Sequence, residues 1–131
     1  MIARKSGAIL NIASTAAFQP GPGMAVYFAT KAFVLSFSEA LHEEVGRHGV
    51  TVTALCPGPT ATEFGEVAGW RGHPMIDLLS ARSGDVVRAG LAALDKRRAV
   101  VIPGLINKSA AQGHRFLPRW LLRKVAGTIK L

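Results

Sequence analysis

Residues 8–58 read AILNIASTAAFQPGPGMAVYFATKAFVLSFSEALHEEVGRHGVTVTALCPG, and the changes of period along this stretch decide the fold. Ala8-Ile9-Leu10-Asn11-Ile12-Ala13 is short, apolar and partly β-branched after Gly7, as a buried strand should be. Gln19-Pro20-Gly21-Pro22-Gly23 is a loop, because proline fixes φ and glycine frees it. From about Ala25 the period becomes helical. Phe33, Phe37, Leu41 and Val45 recur every fourth residue as one apolar stripe, with Glu39, Glu43 and Arg47 on a polar face. Gly46 and Gly49 stop the helix, with His48 in its last turn. Val50-Thr51-Val52-Thr53-Ala54-Leu55 is a second strand, ended by Pro57-Gly58.

Beyond this stretch, residues 59–82 read as irregular, with scattered apolar residues. Ser83-Gly84-Asp85 opens a helix through about Leu94, with Ser83 or Asp85 as its N-cap. Ala99-Val100-Val101-Ile102 is a third strand closed by Pro103-Gly104, and a last helix covers about residues 119–126. Strand and helix alternate three times. That order predicts an α/β fold with a parallel sheet covered by helices. Residues 1–103 form the domain and residues 104–131 a basic helical extension.

The 131 residues suit one domain, and with about half of them hydrophobic the chain should fold. The net charge of +8 suits nucleic acid, a membrane surface or a phosphorylated cofactor. No run approaches the ~18 apolar residues of a membrane span, and the basic start precedes an apolar run broken by Asn11. The expectation is a cytoplasmic chain, with peripheral membrane contact left open. Cys56 is the sole cysteine and reads as a small buried hydrophobe in a reducing compartment. His42, His48, His73 and His114 lack metal-ligand spacing, so no metal site is expected.

Tyr27 and Lys31 stand four apart on the first helix, where side chains share a face, and Ser14 ends the first strand. The loop of residues 19–23 can bring Ser14 to the same place, the carboxyl end of a parallel strand, where ligands bind in open α/β sheets. A phenol, an ammonium and a hydroxyl are the groups that a carbonyl reduction needs for its proton. The ammonium favours the phenolate, and the serine can hydrogen-bond the substrate oxygen. Hydride has to come from a nicotinamide, since no side chain supplies one.

These residues resemble the short-chain dehydrogenases/reductases. The likeness rests on Asn11-Ile12-Ala13-Ser14, on Tyr27-x-x-x-Lys31, on Pro57-Gly58-Pro59-Thr60-Ala61-Thr62, and on Val101-Ile102-Pro103-Gly104 followed by Asn107-Lys108. The last segment is similar to a subgroup of ketone, hydroxysteroid and acyl-chain reductases. The resemblance implies Tyr27 as general acid/base, Lys31 as its partner and ribose ligand, and Ser14 as the substrate-orienting hydroxyl. It implies a cofactor site for NAD or NADP made of Tyr27, Lys31, Pro57, Gly58, Pro59, Thr60 and Thr62, and a lid over a lipophilic substrate in residues 63–82.

The likeness covers nearly the whole chain but only the second half of a family member, and so implies a partial Rossmann-like, doubly wound parallel sheet: its last three strands with covering helices. The glycine-rich dinucleotide turn of the first half has no counterpart here. The resemblance therefore implies a truncated or late-started product of a longer enzyme. Such a chain would bind its cofactor weakly or not at all, have little activity alone, and carry an open strand edge prone to homo-oligomers or aggregation. The alternative function is a non-catalytic remnant that associates with itself, a partner or a membrane. After Asp95 the chain has no acidic residue, and Leu117, Leu121 and Val125 form a stripe flanked by Phe116 and Trp120. This basic helix suits docking on its own domain or an anionic membrane surface. No nucleic-acid recognition motif is present.

Overall fold

The computed structural model describes residues 1–63 and 80–128. Strand β1 (Gly7–Ile12) leads through a 3₁₀ turn (Thr15–Phe18) to helix α1 (Ala25–Gly46) and strand β2 (Val50–Leu55). Two short strands follow, β3 (Thr60–Ala61) and β4 (Ala81–Arg82), then helix α2 (Ser83–Asp95) and strand β5 (Val100–Val101). Helix α3 (Leu105–Gly113), a 3₁₀ turn (His114–Phe116) and helix α4 (Arg119–Thr128) complete the described residues.

The main sheet is parallel throughout, in the order β1-β2-β5, so the alternation read from the sequence gives the layered α/β fold. Every residue of β2 is buried, which fits its place between two strands and two helices. Side chains of β1 alternate between faces. Asn11 reaches Ser38 of α1, whereas a Cβ at Gly90 of α2 would meet Leu10 and Leu55. The two long helices therefore cover opposite faces of the sheet. Ala13, Leu35, Ala54 and Cys56 form the core on the α1 side, with Val34, Phe18, Val100 and Ile102 packed around them.

The return from α1 to β2 passes through Gly49 at φ +74, a left-handed conformation in which a side chain is strained. A Cβ there would also press on the Lys5 backbone, 3.1 Å from its carbonyl carbon.

Five details depart from the sequence reading. Residues 59–82, read as irregular, carry β3 and β4 at their two ends, paired in parallel. Phe33 and Phe37 do not face the core; they are 68% and 49% exposed and stack on each other, while Leu35 and Ser38 are buried. The stripe is rotated because the sheet face opposite α1 offers Asn11, whose amide takes a serine as partner. The N-cap of α2 is Arg82, so Ser83 and Asp85 lie within its first turn, where Asp85 faces the positive end of the helix dipole. Pro103-Gly104 closes the third strand as expected and also opens a helix that the sequence reading lacked, α3, with Gly104 at φ +84 as its N-cap. In the tail, Leu122 is the buried residue, while Leu117 and Val125 are 43% and 51% exposed.

Candidate active site

The site lies where β1 and β2 end. Ser14 stands in extended backbone (φ −171, ψ 161) and caps the 3₁₀ turn, its Oγ accepting from the Ala16 N–H at 3.1 Å. The same hydroxyl is 3.5 Å from the Pro57 carbonyl, a long contact, and the Thr15 N–H donates to that carbonyl at 2.9 Å. One backbone oxygen of the Pro57-Gly58 loop thus gathers the turn that carries Ser14.

Tyr27 and Lys31 occupy successive turns of α1, and both are half-buried. The Lys31 Nζ lies 5.8 Å from the centre of the Tyr27 ring and donates to the carbonyl of Ile12, the last residue of β1, at 3.0 Å. One of its three protons is so committed, and two remain for a ligand. The strand end is thereby joined to helix α1. A second tie lies deeper: Asn11 Nδ2 donates to Ser38 Oγ at 3.0 Å, and Ser38 donates to the Val34 carbonyl at 2.6 Å.

The loop after β2 is half-buried over Pro57, Gly58, Pro59 and Thr60. Thr60 Oγ1 donates to the Gly58 carbonyl at 3.0 Å, and the Pro59 carbonyl accepts from Ala81 N at 2.9 Å. Thr62 is exposed just beyond β3. Residues 64–79, which hold most of the expected lid, lie outside the described residues.

The structure therefore brings Ser14 to the Pro57-Gly58 loop and Lys31 to Tyr27 and the end of β1. Sequence reasoning missed the Ile12 carbonyl, because a backbone acceptor leaves no signal in the side-chain pattern. Cys56, directly before this loop, is fully buried. Burial pushes its thiol up to about 12, outweighing the hydrogen bond from the Ser14 backbone and the charge of Lys31, so it acts as a neutral filler. Among the described residues no group of three His, Cys, Asp or Glu side chains could hold a metal ion.

Comparison with known sequences shows that residues 1–69 match the family described as short chain dehydrogenase. The chain belongs to the short-chain dehydrogenase family. Among relatives of this family, it is 45% identical over 129 residues to a very-long-chain 3-oxoacyl-CoA reductase of Bos taurus, covering 96% of this chain and 38% of the bovine protein. The chain thus spans about two fifths of that relative's length. A solved short-chain dehydrogenase from Sphingobium yanoikuyae, in complex with NADPH, superposes with a TM-score of 0.71 at 36% identity, covering 88% of this chain and 45% of that one. Another from Burkholderia cenocepacia J2315, in complex with NADP, gives 0.71 at 30% identity, covering 92% of this chain and 47% of that one. The parallel sheet described above is the Rossmann-like arrangement of these short-chain dehydrogenases.

Proposed function

We propose that this short-chain dehydrogenase/reductase acts on a carbonyl/alcohol pair with NADP(H), and that its substrate is a lipophilic 3-oxoacyl thioester. The observation that carries the reading is Lys31, whose ammonium sits beside the Tyr27 ring while anchored to the end of the strand that leads to Ser14. The NADPH and NADP in the solved relatives support the choice of cofactor, and the acyl-CoA reductase likeness supports the substrate class.

The residues present fit the nicotinamide and ribose end of the cofactor. Lys31 has free donors for ribose hydroxyls, and the backbone of Pro57 to Thr60 borders the same strand ends. When bound, the nicotinamide supplies the hydride. The Tyr27 phenol gives its proton to the substrate oxygen, which Ser14 holds through a hydrogen bond. Lys31 stabilises the phenolate left behind.

The test follows NADPH oxidation with a 3-oxoacyl thioester. Tyr27→Phe should lower turnover by about 10²–10⁴-fold, the usual worth of a positioned acid, with the thermal midpoint unchanged. Turnover that survives this change would remove the phenol from the mechanism.

A second reading, association with another chain, is favoured by one feature. Strand β1 lies at a sheet edge, and the stacked Phe33 and Phe37 rings are exposed on α1. Sedimentation velocity across a concentration series tests it, and a concentration-independent monomer would reject it.

A further inference from the structure

The segment Pro103-Gly104 with Asn107 has no part in the chemistry above, yet its geometry is specific. Asn107 is the third residue of α3, and its Nδ2 donates to the Pro103 carbonyl at 3.1 Å. The same carboxamide lies directly over Gly58. A Cβ built on Gly58 would stand 2.5 Å from Asn107 Nδ2 and 2.6 Å from its Cγ. A Cβ on Gly104 would come within 3.4 Å of the same nitrogen. One amide is therefore held between two Pro-Gly turns, the one after β2 and the one after β5. The two strands are already joined there by the bond from Cys56 N to the Val101 carbonyl at 2.8 Å.

We propose that Asn107 is a positioning residue: its carboxamide bridges the two turns and sets the backbone of the Pro57–Thr60 loop against which the nicotinamide end binds. The cofactor part of this inference rests on the function proposed above; the bridge itself does not. Gly58 does not have a left-handed φ, and the three atoms nearest to its built Cβ all belong to the Asn107 side chain. A methyl at position 58 is thus opposed by Asn107 in the first place. Shortening Asn107 to alanine removes those three atoms.

That geometry gives a sharp test in the full chain. Gly58→Ala should lower the thermal midpoint, and Asn107→Ala should lower it less. The double variant Gly58→Ala/Asn107→Ala should be more stable than Gly58→Ala alone, a coupling that distant, independent sites do not show. Amide hydrogen exchange at Gly58 and Thr60, the two amides of residues 58–60, should quicken in Asn107→Ala while β1 and β2 keep their protection. Simple additivity of the two stability losses, or unchanged exchange at 58–60, would overturn the bridge.

For the cofactor part, Asn107→Ala should raise KM for NADPH by roughly tenfold while kcat changes by less than about threefold, as misplacement of a binding loop predicts. A fall in kcat with KM unchanged would overturn it. If the parent chain turns over no NADPH, the oxidoreductase reading fails, and the stability coupling and exchange at 58–60 still decide the bridge.

Discussion

Replacing Ser38 by alanine tests how α1 is held on the sheet. Ser38 is fully buried, accepts from Asn11 Nδ2 at 3.0 Å and donates to the Val34 carbonyl at 2.6 Å. Losing the second bond costs little, because the Val34 carbonyl lies inside α1, where it also accepts from the helix backbone. Losing the first leaves a donor of Asn11 without its partner between strand and helix. An unsatisfied buried donor costs about 1–3 kcal/mol, and Asn11 is only half-buried, so the lower part of that range applies: about 1–2 kcal/mol. For a chain of this size, about 3–5 °C per kcal/mol gives a midpoint lowered by about 3–10 °C. Thermal unfolding followed by circular dichroism measures this directly. The double variant Ser38→Ala/Asn11→Ala should lose less than the sum of the single losses, by about 0.5 kcal/mol or more. A Ser38→Ala chain as stable as the parent, or strictly additive losses, would show that this bond does not hold α1 on β1.

Two further outcomes follow from the structure. Gly49→Ala should destabilise the chain by about 1–2 kcal/mol or more, since it combines a left-handed φ with contact against the Lys5 backbone; an unchanged urea midpoint would contradict it. Cys56 also predicts alkaline sensitivity. Its thiol is raised from 9.0 to about 12 on folding, so between those values the unfolded chain releases a proton that the folded one keeps. Stability from this group is intact below pH 9 and falls at up to about 1.4 kcal/mol per pH unit above it. Urea midpoints of Cys56→Ser should show less of this decline, and an identical alkaline profile would refute the assignment.

The sequence made the element order legible because the hydrophobic period switches cleanly between residues 13 and 25 and again at Gly49. It did not reveal which face of α1 is buried. Fourfold spacing favours Phe33 and Phe37, yet the sheet opposite presents an amide, and a serine is what satisfies it. Helix α3 was hidden for a similar reason: Gly104 caps it through backbone conformation, without the serine or aspartate that usually marks a start. At the site, the spacing of Tyr27 and Lys31 was readable because i and i+4 share a helix face. The oxygens that fix it, those of Ile12 and Pro57, belong to the backbone, and backbone acceptors are common to every residue type.

The pairing of β3 with β4 has a wider consequence. Thr60 stands opposite Ala81, and Ala61 opposite Arg82, so the chain leaves the framework and rejoins it at nearly one point. Whatever number of residues is spliced between those two anchors, the entropic penalty grows only logarithmically, by about 0.6 kcal/mol for each doubling in length. An insertion or deletion in that interval therefore costs the framework of β1, β2 and β5 little.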